Sequence, residues 1–495
     1  MGREFASRAA IALAARLEAA AAVLIPANET TPTSDGEGPS DAGVLLDRLV
    51  RHVIQTQDAS ALWLTMAAVS TTFPRDEDLE SVRRQFELSG PVEAALALLD
   101  WGFSAMQRNG APTATLKITS NVVVDVDYCA RLDLHTGIQR VVRETVPRWA
   151  QAHEIDIVAW SGGFGAYRPL DAVEEGRVLR GSGPVGRSHL YVSKVAEIVV
   201  PWRTTLVLTE LPGDARIPEA VAALAQWSGN RVVAIGYDCI PVTSAETRPP
   251  AEDSFFGAYL GMIKHVDLVV GISRSSREEF EGFASMMPAQ GLTGPRVVEC
   301  LLPGEAPIQG PPTPTQVPVV LVVGSHEPRK NHLAVLQACE VLWREGLEFN
   351  LRFIGGSAWM SDDFDHRLDE LVGAGRPIRL DKKIPDDALW RAYSEARISL
   401  FPSLHEGYGL PVAESLAVGT PVITSDYGST REIADLGGGC LLVDPRDDDA
   451  LTDALRRCLV DDELMASLRA EISTRPKRSW SDYARQLWDL VEERS

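Results

Sequence analysis

Positive charge is scarce in this chain of 495 residues: 48 Lys and Arg stand against 69 Asp and Glu, a formal charge of −21 with histidine neutral. That balance disfavours non-specific binding to nucleic acid or to anionic lipid. Cysteine is sparse too. The six residues, at 129, 239, 300, 339, 440 and 458, are scattered with no C-x-x-C pair. No metal site can be read from them, and they predict reduced core thiols and a cytoplasmic setting, with membrane association left open. Long apolar runs are also missing. The best candidate, residues 9–25, is broken by Arg16 and Glu18, so it reads neither as a spanning helix nor as a convincing signal peptide. What is present, 45% hydrophobic and 24% charged residues, is the composition of a globular protein large enough for more than one domain.

Residues 1–25 are alanine-rich and helical in composition, and the Pro/Gly/Ser/Thr-rich stretch 26–43 reads as a flexible linker. From Val44 to Met106 apolar residues recur at helical spacing, and Phe73-Pro74 and Gly90-Pro91 cut the segment into about three helices. Residues 1–110 show no chemistry and are expected to form a helical accessory segment. It would serve packing, a homo-oligomer contact, a partner or a peripheral membrane contact. From Ala111 strands alternate with helices, the signature of an α/β domain. Residues 116–126 suit a first central strand, with further strands at 156–159, 205–209, 231–235 and 268–272. Pro303 to Pro318, rich in proline and glycine, reads as a hinge. A second α/β unit begins with the buried strand 317–323. The expected units are therefore 111–308, 309–478, and a last helix over 479–495.

The most informative stretch is FPSLHEGYGLPVAESLAVGTPVITS at 401–425. An apolar strand leads into a glycine-rich turn, Pro411 stands at the start of a helix, and Gly419 ends it before the next strand. Such a helix N-terminus offers unpaired N–H groups and positive dipole to an anion. Glu406 precedes the helix and Glu414 lies inside it. A carboxylate repels a bound phosphate, so both suit the hydroxyls of a sugar or ribose better. Dipole complementation by Glu414 and solvation of Glu406 are the plainer alternatives. Gly137 opens a helix after the first strand, where a ligand can approach the backbone closely. Asp238 follows a strand at the end where α/β ligands bind, and either holds a hydroxyl or makes an Asx turn before Pro241.

The stretch 401–425 resembles the signature of glycosyltransferase family 4, retaining enzymes of the GT-B fold, also called glycosyl transferases group 1. The resemblance extends loosely from about residue 118 and strongly after Val317. It implies two Rossmann-like doubly wound domains facing across a cleft: an acceptor domain, then a nucleotide-sugar domain, with the last helix crossing back to the first. By the same resemblance Glu406 meets the donor sugar, Glu414 the ribose, and Gly407 with the amides of Tyr408, Gly409 and Leu410 the diphosphate. Lys330, with Arg329 beside it, matches the family's diphosphate-binding stretch and would neutralise the leaving group. The backbone of Lys383 and Ile384 would meet the base. Gly137 would lie near the diphosphate or the acceptor, and Tyr237, where many members have histidine, would face the acceptor or sugar. Many members also carry arginine where this chain has Ser325.

The implied reaction moves a hexose from a nucleoside diphosphate sugar to a hydroxyl of a glycan, glycolipid or glycoprotein, with retention and with no dedicated nucleophile. No obligatory metal or cofactor is expected. Asp125 with Asp127 is the best carboxylate pair for one, ahead of Asp362-Asp363 and Asp447–Asp449, but turn chemistry explains it equally well. Two other readings stand beside the transferase: a sugar-nucleotide epimerase or hydrolase on the same scaffold, and a non-catalytic module that partners another glycosyltransferase.

Overall fold

The computed structural model describes residues 2–26, 41–132, 136–181, 195–249, 252–307, 313 and 315–493. Most of the expected linker, the loop around His135 and part of the expected hinge lie outside these residues. Two sheets organise the chain. The first has nine strands: β1 (Thr115–Thr119), β2 (Val122–Asp125), β3 (Ile155–Trp160), β4 (Tyr167–Pro169), β5 (Glu197–Pro201), β6 (Thr205–Leu208), β7 (Arg231–Gly236), β8 (Leu268–Gly271) and β9 (Arg296–Glu299). Their order is β1-β5-β4-β3-β2-β6-β7-β8-β9, and only β4 runs antiparallel to its neighbours. The second sheet is wholly parallel. Its strands are β10 (Val319–Val323), β11 (Asn350–Ile354), β12 (Ile378–Asp381), β13 (Ile398–Phe401), β14 (Val422–Ser425) and β15 (Cys440–Val443), in the order β12-β11-β10-β13-β14-β15. Helices cover both sheets, and the central strands are almost continuously apolar, as burial on two faces requires.

The run 116–126 is two strands, not one. Asn121 donates its N–H to Thr119 Oγ1 (3.1 Å) in a local turn, and the chain passes there from the edge strand β1 to the central strand β2. β-Branched residues favour extended backbone on either side of such a turn, so composition alone does not reveal it.

The segment 42–109 forms four helices rather than three: Ala42–Thr56, Ala59–Ser70, Asp76–Leu88 and Pro91–Asn109. The extra break falls at Gln57, in the left-handed region (φ 53°), and at Asp58, whose carboxylate accepts the Ser60 N–H (2.8 Å). Helix Ala59–Ser70 is buried from Ser60 to Ser70, so it lies within the core rather than over it. Arg16 of the first helix, Gly2–Leu24, is also buried; its Nε donates to the Ala68 carbonyl (2.8 Å) and its Nη1 to that of Ala114 (2.9 Å). Phe73 touches Trp63 (5.2 Å between ring centres), Trp160 (5.8 Å) and Tyr167 (5.4 Å). The helical segment and one face of the first sheet therefore share a single hydrophobic core.

The last helix, Trp480–Glu492, packs against helix Gly137–Ala152 of the first sheet's unit. Trp149 donates from its indole to the Ala484 carbonyl (2.8 Å), and Arg231 to that of Val491 (2.6 Å). No disulfide joins the six cysteines; five are buried and Cys440 half-buried. No described helix is long and apolar enough to cross a membrane.

Candidate active site

In the second sheet the winding reverses between β10 and β13, which lie side by side. A crevice forms outside the carboxyl ends of two such strands. The loop after β10 carries the one-turn helix Pro328–Lys330, followed by Asn331 at φ 58°. That turn aims Arg329 and Lys330 at the loop after β13. Lys330 Nζ lies 2.5 Å from Glu406 Oε1, and Arg329 Nη1 lies 2.8 Å from Glu406 Oε2. Arg329 also pairs with Glu327 (2.8 Å) and donates to the His405 carbonyl (2.5 Å), while Ser325 donates to Glu327 (3.1 Å). Burial pushes the Glu406 carboxyl up, but Arg329 and Lys330 outweigh it and hold the group at about 2. Burial, then Arg329, lowers Lys330 from its ordinary value. Two cations thus face two carboxylates. The cluster carries no net charge, and the added attraction for an anion has to come from the neighbouring helix.

That helix, Leu410–Ala417, starts at Gly409 (φ 103°), with Pro411 in its first turn. Among the described residues, the amides of Tyr408, Gly409 and Leu410 donate to no acceptor, leaving the dipole-positive end open. Gly407 is fixed by crowding. A Cβ there would lie 2.4 Å from the Tyr237 carbonyl oxygen and 3.1 Å from the Asp238 side chain, across the boundary between the two sheets. Ser273 Oγ donates to the Gly407 carbonyl (2.6 Å), and the hydroxyl of buried Tyr408 donates to that of Leu302 (2.6 Å). Glu414, one turn into the helix, is buried. Tyr393 donates to it (2.9 Å) and Arg140 makes a short ion pair with it. Burial raises the Glu414 carboxyl above its ordinary value in spite of Arg140. Arg140 comes from helix Gly137–Ala152, and its guanidinium sits 5.1 Å from the Trp390 ring centre. A Cβ on Gly137 would meet Leu410 at 3.2 Å. Two helix N-termini, one from each sheet's unit, therefore converge on the same cleft.

Tyr237 departs from expectation. Its side chain is buried among first-sheet residues and donates to the Thr209 carbonyl (2.7 Å), so only its main chain reaches the Gly407 loop. Asp238 stands beside that loop, accepts the Ile240 N–H (3.2 Å), and is pushed up by burial. Exposed Lys383 and half-buried Ile384 follow β12, two strands from β10 along the same edge. Asp125 accepts from the Trp160 indole (2.9 Å) and Tyr167 hydroxyl (3.0 Å), and Asp127 pairs with Arg131 (2.6 Å). These are hydrogen-bonded core carboxylates. Asp362 and Asp363 begin helix Asp362–Gly373, and Asp447 caps helix Asp448–Val460. Among the described residues no group of three or more His, Cys, Asp or Glu is arranged to hold a metal ion.

Sequence reasoning assigned no role to Arg140, Tyr393 or the pair His405–Glu279. His405 Nε2 lies 2.5 Å from Glu279 Oε1, with Nδ1 2.8 Å from Ser244 Oγ. Burial lowers the imidazole's pKa, but Glu279 more than reverses that and raises it. Glu432 accepts the N–H groups of Arg274 (2.9 Å) and Ser275 (2.7 Å) at the start of helix Arg274–Ala284. Arg140 had one signal, its place one turn after Gly137. Tyr393 is a core residue of its own unit, and His405 and Glu279 are ordinary loop and helix residues until the two units meet.

The family profile described as "Glycosyl transferases group 1" matches residues 306–475. A serotype-specific mannosyltransferase WbdA of Escherichia coli is 26% identical over 351 residues, which is 67% of this chain and 41% of that protein. An O-antigen chain mannosyltransferase B of Escherichia coli is 36% identical over 143 residues, 29% of this chain and 37% of that one. A D-inositol 3-phosphate glycosyltransferase of Corynebacterium urealyticum is 30% identical over 183 residues, covering 36% and 43%. The chain spans about two fifths of the length of these curated relatives. A sucrose-phosphate synthase from Thermosynechococcus elongatus superposes with a TM-score of 0.53 at 18% identity, over 76% of this chain and 98% of that one. Anabaena HepE, solved with UDP and glucose, gives 0.53 at 11% identity, over 75% and 99%. The scaffold therefore has the GT-B fold, and its second unit, over residues 306–475, belongs to the glycosyl transferases group 1 family.

Proposed function

We propose that the protein is a retaining glycosyltransferase that moves a hexose from a nucleoside diphosphate sugar to a hydroxyl of a glycan, glycolipid or glycoprotein. The observation that carries this reading is the placement of Glu406 between Arg329 and Lys330 at the open N-terminus of helix Leu410–Ala417. The barrier in such a transfer is departure of the diphosphate as the sugar becomes oxocarbenium-like. Lys330, Arg329 and the amides of Tyr408, Gly409 and Leu410 would take up the charge on the leaving oxygen. Glu406, kept ionised by its two cations, would accept hydrogen bonds from the sugar hydroxyls. Glu414 would do the same for the ribose once Arg140 releases it. The facing units exclude water and align the acceptor. Relatives named as mannosyltransferases make mannose the first sugar to try.

The test is transfer from UDP-, GDP-, ADP- and dTDP-sugars to a glycan or alkyl glycoside acceptor. It is read by nucleoside diphosphate release and by the anomeric NMR signal of the product. Expected is a product with the donor's anomeric configuration, and a rate reduced roughly 10²- to 10³-fold in Lys330→Ala. An inverted product, or release unaffected by Lys330→Ala, contradicts the reading. Release without any acceptor product points to the hydrolase.

A further inference from the structure

Helix Pro91–Asn109 buries one face, at Ala94, Leu98, Gly102 and Ala105, against the rest of the helical segment. Its opposite face is apolar as well. Val92 is 64% exposed, Leu96 62%, Leu99 37% and Phe103 62%, and Leu88, just before the turn into this helix, is 84% exposed. The spacing i, i+4, i+7, i+11 places the four helical residues in one narrow stripe. Single exposed apolar residues are ordinary; four in one stripe are not.

We propose that this stripe is the dimer interface of the protein, filled by the same helix of a second copy running antiparallel across a two-fold axis. The stripe is self-complementary in that arrangement. An axis between Leu96 and Leu99 sets each Leu96 against the other copy's Leu99, and each Val92 against its Phe103, so every layer has matched volume. The helix dipoles also oppose in that arrangement. The four side chains of the stripe expose roughly 400 Å² per copy, so pairing buries about 800 Å², and flanking residues such as Leu88 carry the contact past the roughly 1,000 Å² that a specific interface needs. An anionic membrane surface fits less well, because Glu93 and Asp100 flank the stripe and the whole chain is strongly acidic.

The experiment is sedimentation equilibrium of the full chain, with Leu96→Asp/Phe103→Asp as the interface variant and thermal unfolding as the check on folding. Expected are a two-chain mass for the wild type and a one-chain mass for the variant, which keeps a single cooperative unfolding transition at a melting temperature lowered only by the lost dimer linkage. Register is read by oxidative cross-linking. Val92 and Phe103 lie about 16 Å apart along one helix, so Val92→Cys/Phe103→Cys should give a covalent dimer and Val92→Cys alone should not. A wild type that stays a single chain at tens of micromolar overturns the proposal, as does a dimer that survives in the folded Asp variant. A single-chain wild type that co-sediments with phosphatidylglycerol vesicles, while the Asp variant does not, assigns the stripe to a membrane instead.

Discussion

Glu406 stays charged in a place where burial alone would neutralise it, because Arg329 and Lys330 together outweigh the burial. The same arrangement cancels the charge of both cations until a ligand arrives. Lys330→Ala should therefore weaken nucleoside diphosphate binding at least tenfold while leaving Arg329 to keep Glu406 ionised; isothermal titration checks this. The buried carboxylates of the first unit behave in the opposite way. Burial lifts Asp125 to about 7 and Glu210 to about 8, above their ordinary 3.8 and 4.5. In that window the folded chain keeps protons that the unfolded chain has released. The stability they contribute is complete below about pH 4 and fades as pH rises toward 8. Glu210→Gln should then become progressively more stable relative to wild type between pH 5 and pH 8, measured by urea unfolding across that range. A constant difference would contradict the assignment.

At the scale of elements, local chemistry made the loop 406–409 legible and long-range packing hid its partners. The turn 406–409, Pro411 and Gly419 each act within a few residues, and the helix they bound, Leu410–Ala417, lies where the sequence places it. Lys330 and Glu406, 76 residues apart in the chain, meet because their loops leave adjacent strands at the switch point. The reading of 116–126 as one strand missed a turn made by a single threonine hydroxyl, and the helix count missed a break made by one aspartate cap. β4 has three residues and runs against its neighbours, too little pattern to see in advance. The place of Tyr237 after β7, with its main chain against the Gly407 loop, is legible, whereas the inward turn of its ring is set by packing that the sequence does not display. Two substitutions test this level. Asp58→Ala should cost about 1 kcal/mol of unfolding free energy, the usual value of an N-cap. Gly407→Ala drives a methyl into the Tyr237 carbonyl, so it should separate the two units and abolish donor binding, visible as a larger radius of gyration in X-ray scattering.

Across the whole molecule, the cleft is fastened by contacts that use the site's own residues. Arg140 pairs with Glu414, Glu279 with His405, Glu432 caps helix Arg274–Ala284, and the Trp359 indole donates to the Thr247 carbonyl (3.0 Å). On the proposed reading, donor ribose and Arg140 compete for Glu414, which would link nucleotide binding to loosening of the cleft. Removing the guanidinium by Arg140→Ala should lower the melting temperature of the unliganded protein and widen the shift produced by a bound nucleotide.

The most direct test of the donor site is thermal stabilisation of wild type and Lys330→Ala by UDP-, GDP-, ADP- and dTDP-sugars. A ligand present at a hundred times its dissociation constant adds about 2.7 kcal/mol to stability. With the donor site as proposed, one nucleotide class stabilises the wild type and Lys330→Ala loses most of that gain at the same concentration. A folded wild type that responds to none of the four, or a variant that responds as strongly as wild type, would contradict it.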